Sequence, residues 1–384
     1  MPKKTETLQD KRMLELDVLR GFAMLVVVSS HISSVAIGNL RAGRGHFLVS
    51  MLQSSFNFSV PVFFLVGALL SAYSASAKNP PIWPYYKKKL LRLVLPYLAW
   101  TLFYIAFNLF VHRIGRADLR SFDNWVKWIT QGRAYDHLYY LVVIFQFHLL
   151  FPLLLKLAKL VRDRPFWAFA IVVGGHHVVY WLNKLWLYKA WPYFSSSFFW
   201  HFSIFFLGLY IGLNYKKVCE WLERNLKWLI IVCLVSAAGF LYLRYLLYMK
   251  INYHTYFYYT IRLVYVTSLP LCLLAVARRL RDTLKRGIRH GQAFLFARKW
   301  AGRALLWIGR YSLGIYLAHP VLNHYLREWF KTRNVILLGL ICAVAVVVYI
   351  AVCGVMTMVL ERFRLTSWIV GAKASGGKKK RSGA

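Results

Sequence analysis

Asp17-Val-Leu-Arg20-Gly-Phe-Ala-Met-Leu-Val-Val-Val-Ser-Ser-His31 lies in the first apolar segment of this 384-residue chain, and its reading decides how the rest is read. Eleven helical positions at ~100° each make about three full turns, so Arg20 and His31 project from nearly one face, ~16 Å apart along the axis. An apolar run of this length fits a bilayer core. Arg20 then lies near one membrane surface and His31 near the bilayer centre. Ionisable side chains in such places are costly and are read as functional. The alternative is a snorkelling Arg and a packed His, which explains Arg20 alone better than it explains the pair. The segment lacks a small-residue cleavage site and holds Asp17, Arg20 and His31, so it reads as a retained helix rather than a signal peptide.

The whole chain follows this pattern. It is 59% hydrophobic with a mean hydropathy of +0.47, which excludes an ordinary soluble domain. Its apolar stretches lack strand alternation, which excludes a β-barrel. The expected fold is therefore all-α: a polytopic bundle of about ten helices at approximately 14–38, 46–74, 90–111, 138–158, 165–183, 196–213, 227–249, 256–277, 304–326 and 335–360. One transmembrane domain covers 1–362. The basic tail over 363–384, rich in Gly, Ser and Lys from Lys373 onward, is expected to be disordered and to touch anionic lipid.

An even helix count puts both termini on one side. With the N-terminus cytoplasmic, the cytoplasmic stretches hold about 33 Lys and Arg against about 14 outside, the asymmetry expected of a multi-pass plasma-membrane protein. Arg20, Arg262 and Arg310 lie inside spans. The exception is the external loop 112–137, with Arg113, Arg116, Arg120, Lys127 and Arg133 partly offset by Asp118, Asp123 and Asp136. It reads as a solvated loop, with an amphipathic or a substrate-contacting loop as the alternatives. The net charge of +37 would point to nucleic acid in a soluble chain. Here the cations flank apolar spans, so the expected partners are anionic lipid headgroups and an anionic cofactor, with no nucleic acid. Cys219, Cys233, Cys272, Cys342 and Cys353 have no metal-ligand or redox spacing and read as buried free thiols.

Candidate chemistry gathers at both ends of the first helix. Asp17, three residues before Arg20, is placed to orient its guanidinium. Ser29, Ser30, Ser33 and Ser34 make the surroundings of His31 polar, and His suits proton transfer near neutral pH. With no Cys, Asp or second His nearby in sequence, His31 is a poor metal ligand and a better general base; no metal site is expected. Lys87-Lys-Lys89-Leu-Leu-Arg92 opens the third span at the same surface as Arg20, and such cations suit a polyanionic ligand. A positive-inside anchor is the better reading of Lys87 and Lys88, and it explains Arg92 equally well. His137, beside Tyr135, Asp136, Tyr139 and Tyr140, and Arg262, among Tyr258, Tyr259 and Tyr265, are candidates for acceptor contact, against an interfacial aromatic belt and a snorkelling Arg. His319 before Pro320 reads as a helix-kink His bonded to backbone. His148, His176, His177 and His201 read as structural.

These motifs together resemble the acyltransferase-3 family of integral-membrane acyltransferases over Leu16 to about Arg362. Arg20 and His31, ten residues between them, match the family's first-helix signature. Lys89-Leu-Leu-Arg92 stands where the family has Arg-x-x-Arg; the Lys keeps the charge but loses bidentate geometry. Pro61-Val-Phe-Phe-Leu-Val-Gly67 is similar to Phe-Phe-x-x-Ser-Gly, with Val66 in place of the Ser. His137-Leu-Tyr-Tyr-Leu141 with Gln146, and Ser312 to Pro320, resemble two later motifs. The segment Asp136 to Pro152 is most similar to the exopolysaccharide, intercellular-adhesin branch.

The resemblance implies O-acyl transfer from cytoplasmic acyl-CoA, most simply acetyl-CoA, to a carbohydrate hydroxyl of an exported polysaccharide. Arg20, Arg92 and Lys89 would hold the donor's phosphates, and His31 would be the base. It implies no permanently bound cofactor, and partner proteins of a polysaccharide pathway. Two other classes remain: an exporter of polysaccharide or lipid-linked sugar, and a non-catalytic member of an exopolysaccharide complex. A detectable inverted repeat would favour transport, and the sequence shows none.

Overall fold

A computed structural model describes residues 13–41, 43–78, 82–191, 193–287, 294–329, 334–363 and 366–371. All of the regular structure in these residues is helical. The chain runs α1 (Leu14–Asn39), α2 (Arg44–Ser55), a 3-10 turn at Phe56–Phe58, α3 (Ser59–Lys78) and α4 (Ile82–Phe110). The short α5 (Arg116–Arg120) and α6 (Phe122–Gln131) precede α7 (Tyr139–Leu160) and α8 (Pro165–Leu182). A π turn at Asn183–Leu187 leads to the short α9 (Tyr188–Ala190), then α10 (Phe202–Leu213), α11 (Tyr215–Arg224) and α12 (Leu226–Tyr248). The chain continues through α13 (Thr255–Gly287), α14 (Phe294–Trp329) and α15 (Val335–Arg362).

Each of the ten expected spans falls on one of these helices or helix pairs. Among the described residues, eight stretches are long and apolar enough to cross a membrane, with Phe199–Leu213 a shorter apolar one. The protein is a multi-pass membrane protein. α14 falls outside the eight; with Arg310, His319 and Asn323 in its length, it is packed between α1 and α15 rather than facing lipid all round.

The structure differs from the sequence reading in three places. The second span is two helices hinged at Phe56–Phe58. The sixth begins as a helix only at Phe202, leaving 12 residues, ~18 Å of rise, which is too short for a ~30 Å hydrocarbon core. The 112–137 loop contains α6, which buries Trp128 and exposes Asp123 and Lys127, so the amphipathic alternative is the correct one. The tail from Lys373 lies outside the described residues. Before it, 366–371 turns back onto the bundle, where Trp100 Nε1 donates to the Ile369 carbonyl at 3.1 Å.

α1 is the central element and supplies side chains to two apolar clusters. Leu16, Leu19, Ala23 and Val26 join α3, α7, α10 and α13. Met24, Val27, Val28 and Ile32 join α4, α14 and α15. Tight crossings hold it there. A Cβ on Gly21 would overlap the Leu305 carbonyl, and one on Gly309 would overlap the Asp17 carbonyl, so α1 and α14 meet backbone to backbone. Gly208 and Gly212, four apart on α10, seat that helix on the Leu65 and Leu69 carbonyls of α3 in the same way.

Candidate active site

The packing around α1 brings His31 to two further histidines. Its ring meets His319 of α14 edge-on at 5.0 Å between centroids. His319 in turn lies 6.1 Å from His137, at the entrance to α7. His319 is fully buried, and its Nδ1 is 3.0 Å from the Ile315 carbonyl. A carbonyl only accepts, so Nδ1 carries the proton and Nε2 is left as an acceptor. That Nε2 has no hydrogen-bond partner. His137 is 2% exposed and wedged among Tyr104, Tyr135 and Tyr316, and neither of its ring nitrogens has a partner. Buried polar atoms are satisfied as a rule, so orphaned ones gathered at one spot mark a place built for a ligand or water.

A cavity of about 550 Å³ opens beside them, lined by His31, Ser34, Asn108, Arg113, Arg133, Asp136, His137 and Asn323. The Oδ1 atoms of Asn108 and Asn323 are also buried without partners. Asp136 acts on His31 electrostatically.

The segment between α6 and α7 builds one wall of the cavity, and the segment before α10 packs against it. After α6 the chain turns at Gly132, whose φ of 68° is left-handed and where a Cβ would strike the Tyr139 backbone. Tyr97 Oη donates to the Trp128 and Ile129 carbonyls at 2.9 and 2.7 Å, and Asn108 Nδ2 to the Ala134 carbonyl at 2.8 Å, which ties this segment to α4. The irregular segment before α10 is held from the other side, the Phe198 amide donating to Gln146 Oε1 at 2.7 Å. The two segments meet where the Arg133 guanidinium lies over the Tyr193 ring, 3.7 Å from its centroid.

The other sequence candidates are distributed elsewhere. Arg20 pairs with Asp17 at 3.2 Å, as the three-residue spacing implied. Between Arg20 and His31 the helix face is closed: Ala23, Met24, Val27 and Val28 are at most 2% exposed. Lys89 is half-buried on α4, within electrostatic reach of His148, whose Nδ1 is bonded to Tyr85 Oη at 2.7 Å. Arg92 is exposed on the same helix. Arg262 donates to Asn57 Oδ1 at 3.2 Å, at the 3-10 break between α2 and α3. The His31 cavity takes in His137 but not Arg20, Lys89, Arg92 or Arg262.

Sequence reasoning missed Asp136 and the His319 contact as neighbours of His31, because each depends on tertiary packing. His319 is also bonded to backbone at a Pro-bearing turn, as read from the sequence. The surplus of cations in the 112–137 loop was the signal available for Arg113 and Arg133. Among the described residues, no group of three or more His, Cys, Asp or Glu is arranged to hold a metal ion.

The fold is a helical membrane bundle with a histidine cluster beside a polar cavity and an Arg-Asp pair three turns away on the same helix. The family model for the acyltransferase-3 acyltransferase domain matches residues 13–356, and the chain belongs to that family. Membership implies acyltransferase activity. A Staphylococcus epidermidis protein named "Probable poly-beta-1,6-N-acetyl-D-glucosamine export protein" is 24% identical over 380 residues, covering 94% of this chain and 95% of the relative. A Staphylococcus aureus protein of the same name is 21% identical over 374 residues, covering 93% and 95%. No solved structure matches.

Proposed function

We propose that this protein is an O-acyltransferase of the plasma membrane that moves an acyl group, most simply acetyl, from cytoplasmic acyl-CoA to a hydroxyl of an exported or cell-surface polysaccharide. The observation that carries this is His31 at the wall of a polar cavity with unpartnered hydrogen-bonding atoms, on the same helix as Arg20. Arg20 takes the donor's phosphates from the cytoplasmic end, with Lys89 and Arg92 of α4 as further cations. The acceptor enters the cavity from the opposite end, where aromatic and amide side chains suit a sugar.

His31 acts as general base. It takes the proton of the acceptor hydroxyl as the oxygen attacks the thioester carbonyl, then returns it to the departing thiolate. The proton balance closes within the site, and the products are an ester and free CoA. Met24, Val27 and Val28 must shift aside for the acyl arm to reach His31, since they close the direct path along α1.

Purified protein incubated with radiolabelled acyl-CoA and acceptor tests the proposal. Transfer by wild type, loss of transfer in His31→Ala and retained acyl-CoA binding in that variant support it. Retained transfer in His31→Ala defeats it.

The names of the staphylococcal relatives favour a second reading, export of a poly-N-acetylglucosamine chain, with partner proteins of that pathway. A deletion strain separates the two. Polysaccharide that is exported but lacks its acyl groups supports the enzyme; polysaccharide retained inside the cell supports the exporter.

A further inference from the structure

The loop between α4 and α7 works against the charge asymmetry that orients the chain, because it places five cations at the end predicted to be external. The structure divides them. Lys127 is paired with Asp123 at 2.5 Å, and Asp118 is occupied in capping α5, accepting from the Gly115 amide at 2.8 Å. Arg113 and Arg133 instead line the His31 cavity. Among the described residues, neither guanidinium meets a carboxylate.

Their partners are aromatic rings and neutral groups. Arg133 is stacked on Tyr193. Arg113 donates to Tyr135 Oη at 3.0 Å, and that hydroxyl donates onward to the Pro320 carbonyl at 3.3 Å. Arg113 Nη2 is also 3.4 Å from His324 Nδ1. A guanidinium stacked on a ring keeps its in-plane N–H groups available, in the fork that matches a carboxylate or phosphate. Among the described residues, Asp136 is the single acidic one lining the cavity.

Two amides of the lining have the opposite hydrogen-bonding sense. Asn108 Oδ1 and Asn323 Oδ1 accept and cannot donate, and both lack partners. They suit the hydroxyls of a sugar. The two guanidinium groups suit an anion. The two sets of groups line one cavity large enough for a ligand.

We propose that the acceptor recognised here is an acidic glycan unit, one whose sugar carries a carboxylate or a phosphate, with that group held between Arg113 and Arg133 and its hydroxyls turned toward Asn108, Asn323 and His31. This rests on the reading of the cavity as the acceptor site. It separates this chain from an enzyme whose acceptor is a neutral polymer of N-acetylglucosamine.

Binding to the full-length protein in nanodiscs of neutral lipid tests it, with three probes: a neutral N-acetylglucosamine oligomer, an oligogalacturonate of equal length, and N-acetylglucosamine 1-phosphate. At least one anionic probe is expected to bind about tenfold or more tighter than the neutral one at low salt, with the advantage shrinking as salt rises. The two anionic probes show whether carboxylate or phosphate is the preferred group. Arg113→Gln and Arg133→Gln should each remove most of the advantage, Arg→Lys at either position should keep part of it, and CoA binding should be unchanged in all four variants.

Equal or tighter binding of the neutral oligomer overturns the proposal, as does no binding of either anionic probe. Equal loss of neutral and anionic binding in the Gln variants overturns it by making these arginines structural. Loss of CoA binding in the same variants overturns it by making the cavity the donor's site. Because the readout is binding, failure of His31 as the base would show separately, as acyl transfer surviving in His31→Ala while anion selectivity is intact.

Discussion

The two ends of α1 treat polar groups in opposite ways. At its start the charges are matched: Arg20 with Asp17 at 3.2 Å, and Glu15 with Arg281 at 2.9 Å and the Tyr215 hydroxyl at 2.7 Å. Around His31, the ring nitrogens of His137, Nε2 of His319 and the Oδ1 atoms of Asn108 and Asn323 are buried with no partner. A buried polar atom left unsatisfied costs about 1–3 kcal/mol. A fold that gathers several of them around one cavity has left stability unrealised where a ligand or water supplies the missing hydrogen bonds. Matched charges hold the start of α1 in place; on the proposed function, the unmatched polar atoms at its other end are where a substrate binds.

The largest test of this contrast is His31→Ala. On the proposed mechanism it removes general-base assistance, and the transfer rate should fall by about 10²–10⁴-fold. Acyl-CoA binding, measured on the same preparation, should hold. A rate within twofold of wild type would place the chemistry elsewhere and leave the His31 cluster a packing feature.

The next test contrasts steric tolerance at the two ends. Gly309→Leu drives a side chain into the Asp17 carbonyl, where the backbones of α1 and α14 already touch. Overpacking of this kind costs about 1–3 kcal/mol and occasionally more, so the thermal midpoint of the purified protein should drop by several degrees or the protein should fail to assemble. Ser34→Leu instead enters the cavity from an exposed position near the other end of α1. It should leave the midpoint unchanged while blocking acceptor. Equal destabilisation by both would remove the distinction between a packed end and an open one.

Much of the fold was legible in the sequence, because span length and hydropathy are local properties. The failures share one cause. Nothing local in Ser195 to Phe202 distinguishes an apolar helix from an apolar irregular segment; the Gln146 side chain accepting from the Phe198 amide, a contact 52 residues away, helps to decide it. The 112–137 loop hid an amphipathic helix behind its charge. For the site, Arg20–Asp17 was readable from a three-residue spacing, whereas His31, His137 and His319 come together only through the crossing of α1 with α14. Helical spacing and the resemblance both pointed to His31 and Arg20, but neither to Asn108, Asn323 or the approach of Asp136 to His31, which enter through the shape of the cavity.

Arg20→Gln probes the matched end. If Arg20 holds a donor phosphate, losing that charge-assisted hydrogen bond should raise the KM for acyl-CoA by about 10–100-fold with little change in kcat. The substitution also strands the buried Asp17 carboxylate, so Asp17→Asn combined with Arg20→Gln is the control for folding. An unchanged KM in the double variant would make the pair purely structural.

His319 tests whether an unmatched acceptor near His31 matters to catalysis. Its Nε2 makes no hydrogen bond in this arrangement, but the two rings are 5.0 Å apart between centroids, and a small shift would let it accept from His31 and fix which imidazole nitrogen carries the proton. His319→Ala should lower kcat by about tenfold, the scale on which groups supporting a functional histidine act, without raising either KM. His319→Gln, which keeps an acceptor oxygen, should recover part of it. A packing role alone would make the two variants equally poor and would move stability along with activity.

The smallest expected effect is at Lys89, where this chain departs from the Arg-x-x-Arg pattern it resembles. A Lys is a point charge, whereas an Arg presents a planar fork to phosphate, so the two differ in geometry at equal charge. Lys89 is half-buried on α4, close enough to act on His148, and one turn from the exposed Arg92. If Lys89 and Arg92 act with Arg20 on the donor, Lys89→Arg should lower the KM for acyl-CoA by about two- to threefold, a few tenths of a kcal/mol by the tenfold-per-1.4 kcal/mol relation. The gain should vanish at high salt, since an exposed phosphate contact is screened. Removing Arg20 should weaken the benefit of Lys89→Arg if the two touch one ligand, because contacts to a shared partner do not add. Strict additivity of the two changes would assign Lys89 to lipid headgroups, and the matched end of α1 would then bind its donor without help from α4.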